Sequence, residues 1–394
     1  MGLDKSVNHI FCYVFIKIYI FKRKIISFLF LFLYSIIIKE IKWVKFMYNF
    51  KNDYCVVGHE LILKKLQENI NEVNNGYGLD KHSEKAADLI KKVLNNESVD
   101  VHFLVGGTSA NKTVISHILK PYEAVVACDT GHIAVHETGA IEATGHKVIT
   151  VPNEGGKLTK ENLLKVLHTH TDEHMVKPRL VYISNSTENG AVYYLDELQE
   201  LYSVCKENGL YLFIDGARLG VALTSVINDV EMKNLPELCD VFYIGGTKNG
   251  AMLGEAVVVV NDKLKEGFRY SIKQNGGMYS KGFIAGMQFE ALFEDNLYFK
   301  LAKHANDCAC LLRMGLEDLN VEFAFKSLTN QLFPIFPNEI IEQLEKIVTF
   351  EVWEKGETHS TIRFVTAFNT KEEDISDFIV ELSNILYEYN QCNQ

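Results

Sequence analysis

The stretch Leu210–Arg218, LYLFIDGAR, decides the fold. Five apolar residues run without a polar break into Asp215, and a glycine follows at once. A strand with one wet face alternates apolar and polar side chains, so an unbroken run predicts a strand covered by helices on both faces. Runs of the same kind stand at 99–107 (VDVHFLVGG), 124–129 (AVVACD), 146–152 (HKVITVP), 179–186 (RLVYISNS), 240–246 (DVFYIGG) and 255–260 (EAVVVV). Between them lie helical stretches, among them TSANKTVISHILK after residue 107 and LDELQELYSVCKENG, which stops at Gly209. Alternation of this kind predicts an α/β domain with a mostly parallel sheet.

After Gly282 the pattern changes. Residues 283–319 read as one long helix, followed by strands in VEFAF, NQLFPIF, VTFEVWEKG and STIRFVTAF and helices at 339–347 and 371–390. The expected organisation is an N-terminal extension (1–46), an arm (47–76), a large domain (77–282) and a smaller α+β domain (283–394).

The extension differs in charge from the rest. It holds eight Lys/Arg and two Asp/Glu, net +6, against 32 basic and 49 acidic residues, net -17, from Met47 on. Its apolar run IISFLFLFLYSIII is 14 residues long, short of the roughly 20 a spanning helix needs, and no small-residue cleavage site follows. Translation starting at Met47 or a dispensable extension is the favoured reading of it, with a membrane anchor as the alternative. The whole chain carries a formal charge of -11, which argues against nucleic acid as a partner. Eight scattered cysteines without paired C-x-x-C spacing fit reduced thiols in the cytoplasm. The tract HTHTDEH (His168, His170, His174) lies between a helix and a strand and reads as a solvated loop, with no metal site expected.

Ligands of open parallel sheets sit at the carboxyl ends of the strands. Those ends read GGTSAN, DTGH, NSTENG, DGAR and GGTKNG. The last motif has two readings. A phosphate loop places its lysine on a helix start after a longer glycine loop, with Ser or Thr next. Here Asn249 follows Lys248 and the chain runs on into another strand, so that reading is weak. A Schiff-base lysine needs a partly desolvated site and a carbonyl cofactor. Asp215 either caps the turn after its strand or, as a desolvated acid, keeps the ring nitrogen of pyridoxal phosphate protonated. It stands 33 residues before Lys248, the order such a cofactor requires.

From Phe50 to the C-terminus the chain resembles the low-specificity L-threonine aldolases, of the pyridoxal-phosphate fold shared with aspartate-type aminotransferases and β-eliminating lyases. The resemblance rests on DGAR and GGTKNG, supported by GTSAN, GH with HETGA, and YGLD. It implies pyridoxal 5'-phosphate as cofactor, held by Lys248, with Asp215 on the ring nitrogen and Gly107 and Thr108 on the phosphate. His132 would stack on the ring, Arg218 would line the site, and Arg363 would grip the substrate carboxylate. Asn52 stands where the family commonly has a serine for that carboxylate, and Tyr77 and Lys273 would approach the phosphate, across a subunit boundary in one reading. His136 reads as structural, and Glu137 as a supporting or interface residue. Glu188 replaces the histidine of many relatives, as in the branch with GGTKNG; it either takes the β-hydroxyl proton or orients His132 or a water. The implied reaction is retro-aldol cleavage of L-threonine, L-allo-threonine or a related β-hydroxy amino acid to glycine and an aldehyde. β-Elimination or transamination on a small amino acid is the alternative. A homotetramer, or a homodimer with sites at the interface, is the implied assembly.

Overall fold

The computed structural model describes residues 47–392, so the 1–46 extension and its apolar run lie outside the described residues. From Tyr48 on, the strands in chain order are β1 (Tyr48–Asn49), β2 (Asp100–Leu104), β3 (Glu123–Cys128), β4 (Lys147–Val151), β5 (Lys177–Ser184), β6 (Tyr211–Asp215) and β7 (Val241–Gly245). They continue as β8 (Glu255–Val259), β9 (Gln331–Leu332), β10 (Ile335–Pro337), β11 (Val348–Thr349), β12 (Glu351–Glu354) and β13 (His359–Val365). Seven of them form one sheet in the order β2-β8-β7-β6-β5-β3-β4. The β4, β3, β5, β6 and β7 strands pair in parallel, while β8 runs antiparallel to both β7 and β2.

Alternate residues of the central strands enter two different apolar clusters. Val181, Ile183, Leu212, Ile214, Phe242 and Ile244 lie in one, and Leu180, Tyr182, Phe213, Val241 and Tyr243 in the other. Both sheet faces are therefore covered, which is why these strands carry no polar alternation. The edge strand β4 shows the opposite, with Lys147 and Thr150 exposed. The α/β architecture matches the expectation from the runs.

Four details depart from the sequence expectation. The 283–319 stretch is two helices, Phe283–Phe293 and Leu297–Asp318, separated at Asp295 and Asn296, whose φ values are 50° and 58°. Asp and Asn tolerate this left-handed region better than most residues, and the break lets Phe293 stack on Tyr298 at 5.2 Å. VEFAF forms only an isolated bridge from Phe323 to Pro334, made by the Ala324 N–H on the Phe333 carbonyl and the Ile335 N–H on the Glu322 carbonyl. The same Pro334 separates β9 from β10. The VTFEVWEKG run splits between two sheets: β11 pairs in parallel with β1, and β12 joins β13 antiparallel.

That last pairing matters for function. It ties the arm to the C-terminal part of the chain, where Phe50, Phe364 and Phe378 pack edge to face with centroids 5.4–5.7 Å apart. The Val365 N–H donates to the Phe50 carbonyl at 2.8 Å. The next residues, Asp53 and Tyr54, are thereby delivered to the carboxyl edge of the large sheet.

Candidate active site

Two turns at that edge approach so closely that their glycines are required. A Cβ on Gly216 would lie 1.9 Å from the Tyr243 carbonyl oxygen, and one on Gly245 would lie 2.2 Å from that of Ala217. The Gly245 N–H donates to the Gly216 carbonyl at 2.9 Å, locking the DGAR and GGTK turns together. Asp215 and Lys248 consequently line one cavity of about 340 Å³, together with Gly107, Thr108, Asn111, His132, Glu188, Arg218 and Glu255. A second cavity of about 300 Å³ shares His132, Glu188, Arg218 and Lys248 with it and adds His136, Trp353 and Arg363.

Lys248 has no hydrogen-bond or ion-pair partner among the described residues. Burial first, and then the Arg218 guanidinium, hold its amine below the ordinary lysine range against the pull of Asp53 and Asp215. Asp215 is the reverse case, a buried carboxylate with its donors in place. It accepts from the hydroxyls of Tyr182 and Tyr243, both at 2.5 Å, and from the Asn111 amide and the Ala217 N–H, both at 3.0 Å. Four donors satisfy the oxygens of this buried carboxylate.

The helix Gly107–Ile118 begins at the cavity. Gly106 supplies no side-chain cap, so the first N–H groups of three full turns are left for a ligand. His132 opens the short helix after β3. Its Nδ1 lies 2.8 Å from Glu137 Oε1, and its backbone N–H donates to Glu188 Oε1 at 3.0 Å. The Ser184 hydroxyl donates to the same Glu188 oxygen at 2.7 Å, and Oε2 has no such side-chain or His132 partner among the described residues. Burial holds the Glu188 carboxyl above the ordinary range although Ser184 pulls the other way.

Arg218 does not offer its whole fork to the cavity. Its Nε and Nη2 grip the two oxygens of buried Asp53 at 2.7 and 3.0 Å, and Asn330 donates to Asp53 at 2.9 Å. Burial raises the Asp53 carboxyl, but Arg218, followed by Lys248, more than offsets it and the net direction is downward. Removing one partner of a buried pair strands the other charge. Asp53→Ala is expected to cost about 3–5 kcal/mol, seen as a lower urea midpoint with an unchanged slope.

Arg363 stands on β13 facing the second cavity. It pairs with Glu351, donates to Gln331 Oε1 at 3.2 Å and lies over Trp353, its Cζ 5.3 Å from the ring centre. Its Nε is buried without a partner among the described residues. Three proposed residues lie apart from these cavities. The Asn52 side chain accepts from the Tyr54 N–H at 3.1 Å, and Lys273 sits 5.0 Å from the Tyr77 ring. Tyr77 lines a separate cavity of about 480 Å³ with Arg269 and Tyr279. His170 bonds the Val176 carbonyl at 2.8 Å, and exposed His174 lies 3.3 Å from Asp172.

Glu255 escaped the sequence reading. It begins β8, which is antiparallel, so the start of that strand falls at the edge where the others end. It accepts from the Gly246 N–H at 2.7 Å and the Thr247 hydroxyl at 2.9 Å, holding the turn that carries Lys248. Burial pushes its carboxyl up to about 7, against the Gly246 N–H, the Thr247 hydroxyl and Lys248, which draw it down. Tyr182, Tyr243 and Asp53 were also missed. The only signal for the tyrosines was a hydroxyl inside an otherwise apolar run, which must find a partner when buried.

Comparison with known proteins agrees with this arrangement. Residues 60–337 match the model of the beta-eliminating lyase family. A low specificity L-threonine aldolase from a Pseudomonas species is 33% identical over 79% of this chain and 90% of its own length. The one from Pseudomonas aeruginosa is 31% identical over 80% and 92%. The solved Leishmania major threonine aldolase superposes with a TM-score of 0.85 at 45% identity, covering 86% of this chain and 99% of that one. A Thermus thermophilus aspartate aminotransferase mutant, 14% identical with a TM-score of 0.65 over 86% and 91%, shares the fold. A cavity lined by a half-buried lysine, unpaired among the described residues, and by a fully bonded aspartate is thus set in a chain that belongs to the beta-eliminating lyase family, among the low-specificity L-threonine aldolases.

Proposed function

We propose that the protein is a pyridoxal-phosphate-dependent aldolase that cleaves L-threonine, L-allo-threonine or a related β-hydroxy amino acid to glycine and an aldehyde. The observation that carries this reading is Lys248, a half-buried amine without a partner among the described residues, in one cavity with Asp215 and the uncapped start of the Gly107–Ile118 helix. The donor set suits the cofactor. The helix start and Thr108 would hold its phosphate, Asp215 its ring nitrogen, His132 its ring face and Lys248 its aldehyde carbon. Ser186 Oγ and Asn111 Oδ1, both buried at this cavity, have no partner among the described residues, as expected where a polar ligand belongs. When bound, pyridoxal phosphate joins amines covalently and draws off the electron pair of a bond broken at Cα.

The protein's own groups do the rest. Burial favours the neutral, nucleophilic form of Lys248, which yields its place to the incoming amine and takes it back at the end. Arg363, which lines the second cavity, is proposed to bind the substrate carboxylate, with Glu351 and Gln331 fixing the guanidinium plane. Glu188 Oε2 then receives the β-hydroxyl proton. Because Glu188 Oε1 binds the backbone of His132, and Glu137 holds the ring, the geometry favours Glu188 as base over Glu188 as a brace for the imidazole. Lys273 and Tyr77, outside the cavity of their own chain, are proposed to serve the site of a second copy in a homo-oligomer.

The test is product analysis with L-threonine and L-allo-threonine. Stoichiometric glycine and acetaldehyde are expected; keto-acid formation, or no aldehyde from any β-hydroxy amino acid, would overturn the proposal. Glu188→Gln is expected to lower kcat by about 10²–10⁴-fold with little change in KM. In the parent enzyme the base must be ionised and its carboxyl is raised. The acid limb of kcat/KM should therefore fall at a pH above the ordinary glutamate range, and Glu188→Gln should abolish that limb.

A further inference from the structure

The Glu137 side chain is fully buried, and so far it figures only as the group that holds the His132 ring. Its Oε1 accepts from the Asn111 amide at 2.7 Å and lies 2.8 Å from His132 Nδ1. The same Asn111 nitrogen donates its other hydrogen to Asp215 Oδ2 at 3.0 Å. The orientation of the amide is settled by chemistry. Turned over, its oxygen would face two carboxylates and four lone pairs with no proton between them. Asn111 is therefore a two-proton bridge between Glu137 and Asp215, and its own Oδ1 remains unpartnered.

The tautomer of His132 follows from the same count. Glu137 Oε1 is an acceptor toward Asn111, so the ring nitrogen facing it must carry the hydrogen. Nε2 is then the nitrogen free to exchange a proton. A line of hydrogen bonds runs His132–Glu137–Asn111–Asp215, linking the imidazole proposed for one face of the cofactor to the acid proposed for its ring nitrogen.

We propose that Glu137 is the positioning residue that fixes His132 as the Nδ1–H tautomer and strengthens Nε2 as a proton acceptor, and that Asn111 moderates this effect by sharing the same Glu137 oxygen. The arrangement repeats the logic of an acid that orients a histidine from behind while the opposite nitrogen works. Other charged groups also face the ring. Glu188 meets its backbone, His136 lies 5.4 Å away ring to ring, and Lys248, Arg218, Asp215 and Arg363 line the cavities it borders. The Glu137 and Asn111 variants leave all of these side chains in place, and Glu137→Gln also leaves every donor to Asp215, whereas Asn111→Ala removes one of them.

The role of His132 in catalysis rests on the aldolase reading; its tautomer does not, because it can be measured before any cofactor is added. The experiment is side-chain nitrogen NMR of protein carrying 15N-labelled histidine, without and then with pyridoxal phosphate. The His132 signals are identified by their loss in His132→Asn. The wild-type ring should show Nδ1 protonated and Nε2 bare at high pH. Glu137→Gln removes the charge but retains an acceptor, and should lower the His132 midpoint by about one pH unit, a tenfold loss of proton affinity. Asn111→Ala frees the Glu137 oxygen for His132 alone and should raise the midpoint. These opposite directions keep the test informative if one variant folds poorly, since a loss of structure alone would move both toward the free imidazole value. A bare Nδ1 in the wild type, or an unchanged midpoint in Glu137→Gln, would overturn the assignment. Failure to bind pyridoxal phosphate with the tautomer as expected would count against the aldolase reading and not against this one.

Discussion

Lys248→Ala is expected to reduce turnover on every substrate by at least about 10⁴-fold while leaving the protein folded and as stable as before, or more so. The two halves of that expectation come from one fact. A half-buried amine without a partner among the described residues is a poor contributor to stability, because desolvating its charged form is unfavourable and the surroundings hold it below the ordinary lysine range. Its removal therefore relieves a cost, whereas nothing else in the cavity is a primary amine. Lys248→Arg should be equally inactive despite retaining a cation, since a guanidinium stays protonated and cannot act as the nucleophile. A thermal midpoint and a steady-state assay on the same preparation check both halves. A stable Lys248→Ala protein that still turns over substrate would remove the lysine from the mechanism.

Asp215 predicts the opposite combination. Here function and fold draw on the same side chain. Tyr182, Tyr243 and Asn111 all donate to its carboxylate, and Asp215→Ala would leave three buried donors facing a void. At about 1–3 kcal/mol for each stranded donor, the loss should reach at least about 3 kcal/mol even after partial relaxation. Asp215→Asn retains the size and two of the acceptor contacts but no charge. That variant should fold, bind cofactor more weakly and lose about 10²–10³-fold in kcat, the scale seen when one electrostatic partner of a transition state is withdrawn. Denaturant midpoints for the alanine variant and kinetics for the asparagine variant separate the structural from the chemical share. Equal activity in Asp215→Asn and wild type would show that no charge is needed at the ring nitrogen.

Much of this was legible in the sequence because a doubly covered sheet writes itself as unbroken apolar runs. All seven runs correspond to strands of the large sheet, and the rule that ligands gather at their carboxyl ends pointed at the turns where Asp215, Lys248, His132, Glu188 and Gly107 meet one cavity. What the runs do not encode is strand direction. The antiparallel sense of β8 was invisible in EAVVVV, and Glu255 at its start was missed for that reason. Contacts between distant segments were equally silent. FKNDY gives no local sign that Phe50 docks against Phe364 and Phe378, or that this carries Asp53, one position beyond Asn52, onto Arg218. Helix periodicity also continues smoothly through 294–296, where Asp295 and Asn296 turn left-handed to accommodate packing from outside the helix.

The most direct test is covalent. Protein incubated with pyridoxal phosphate, reduced with borohydride and digested should yield one modified peptide, with the pyridoxyl group on Lys248 and the adduct absent from Lys248→Ala. Reduction that fixes the cofactor on another lysine, or that fixes none although the cofactor is bound, would contradict the account.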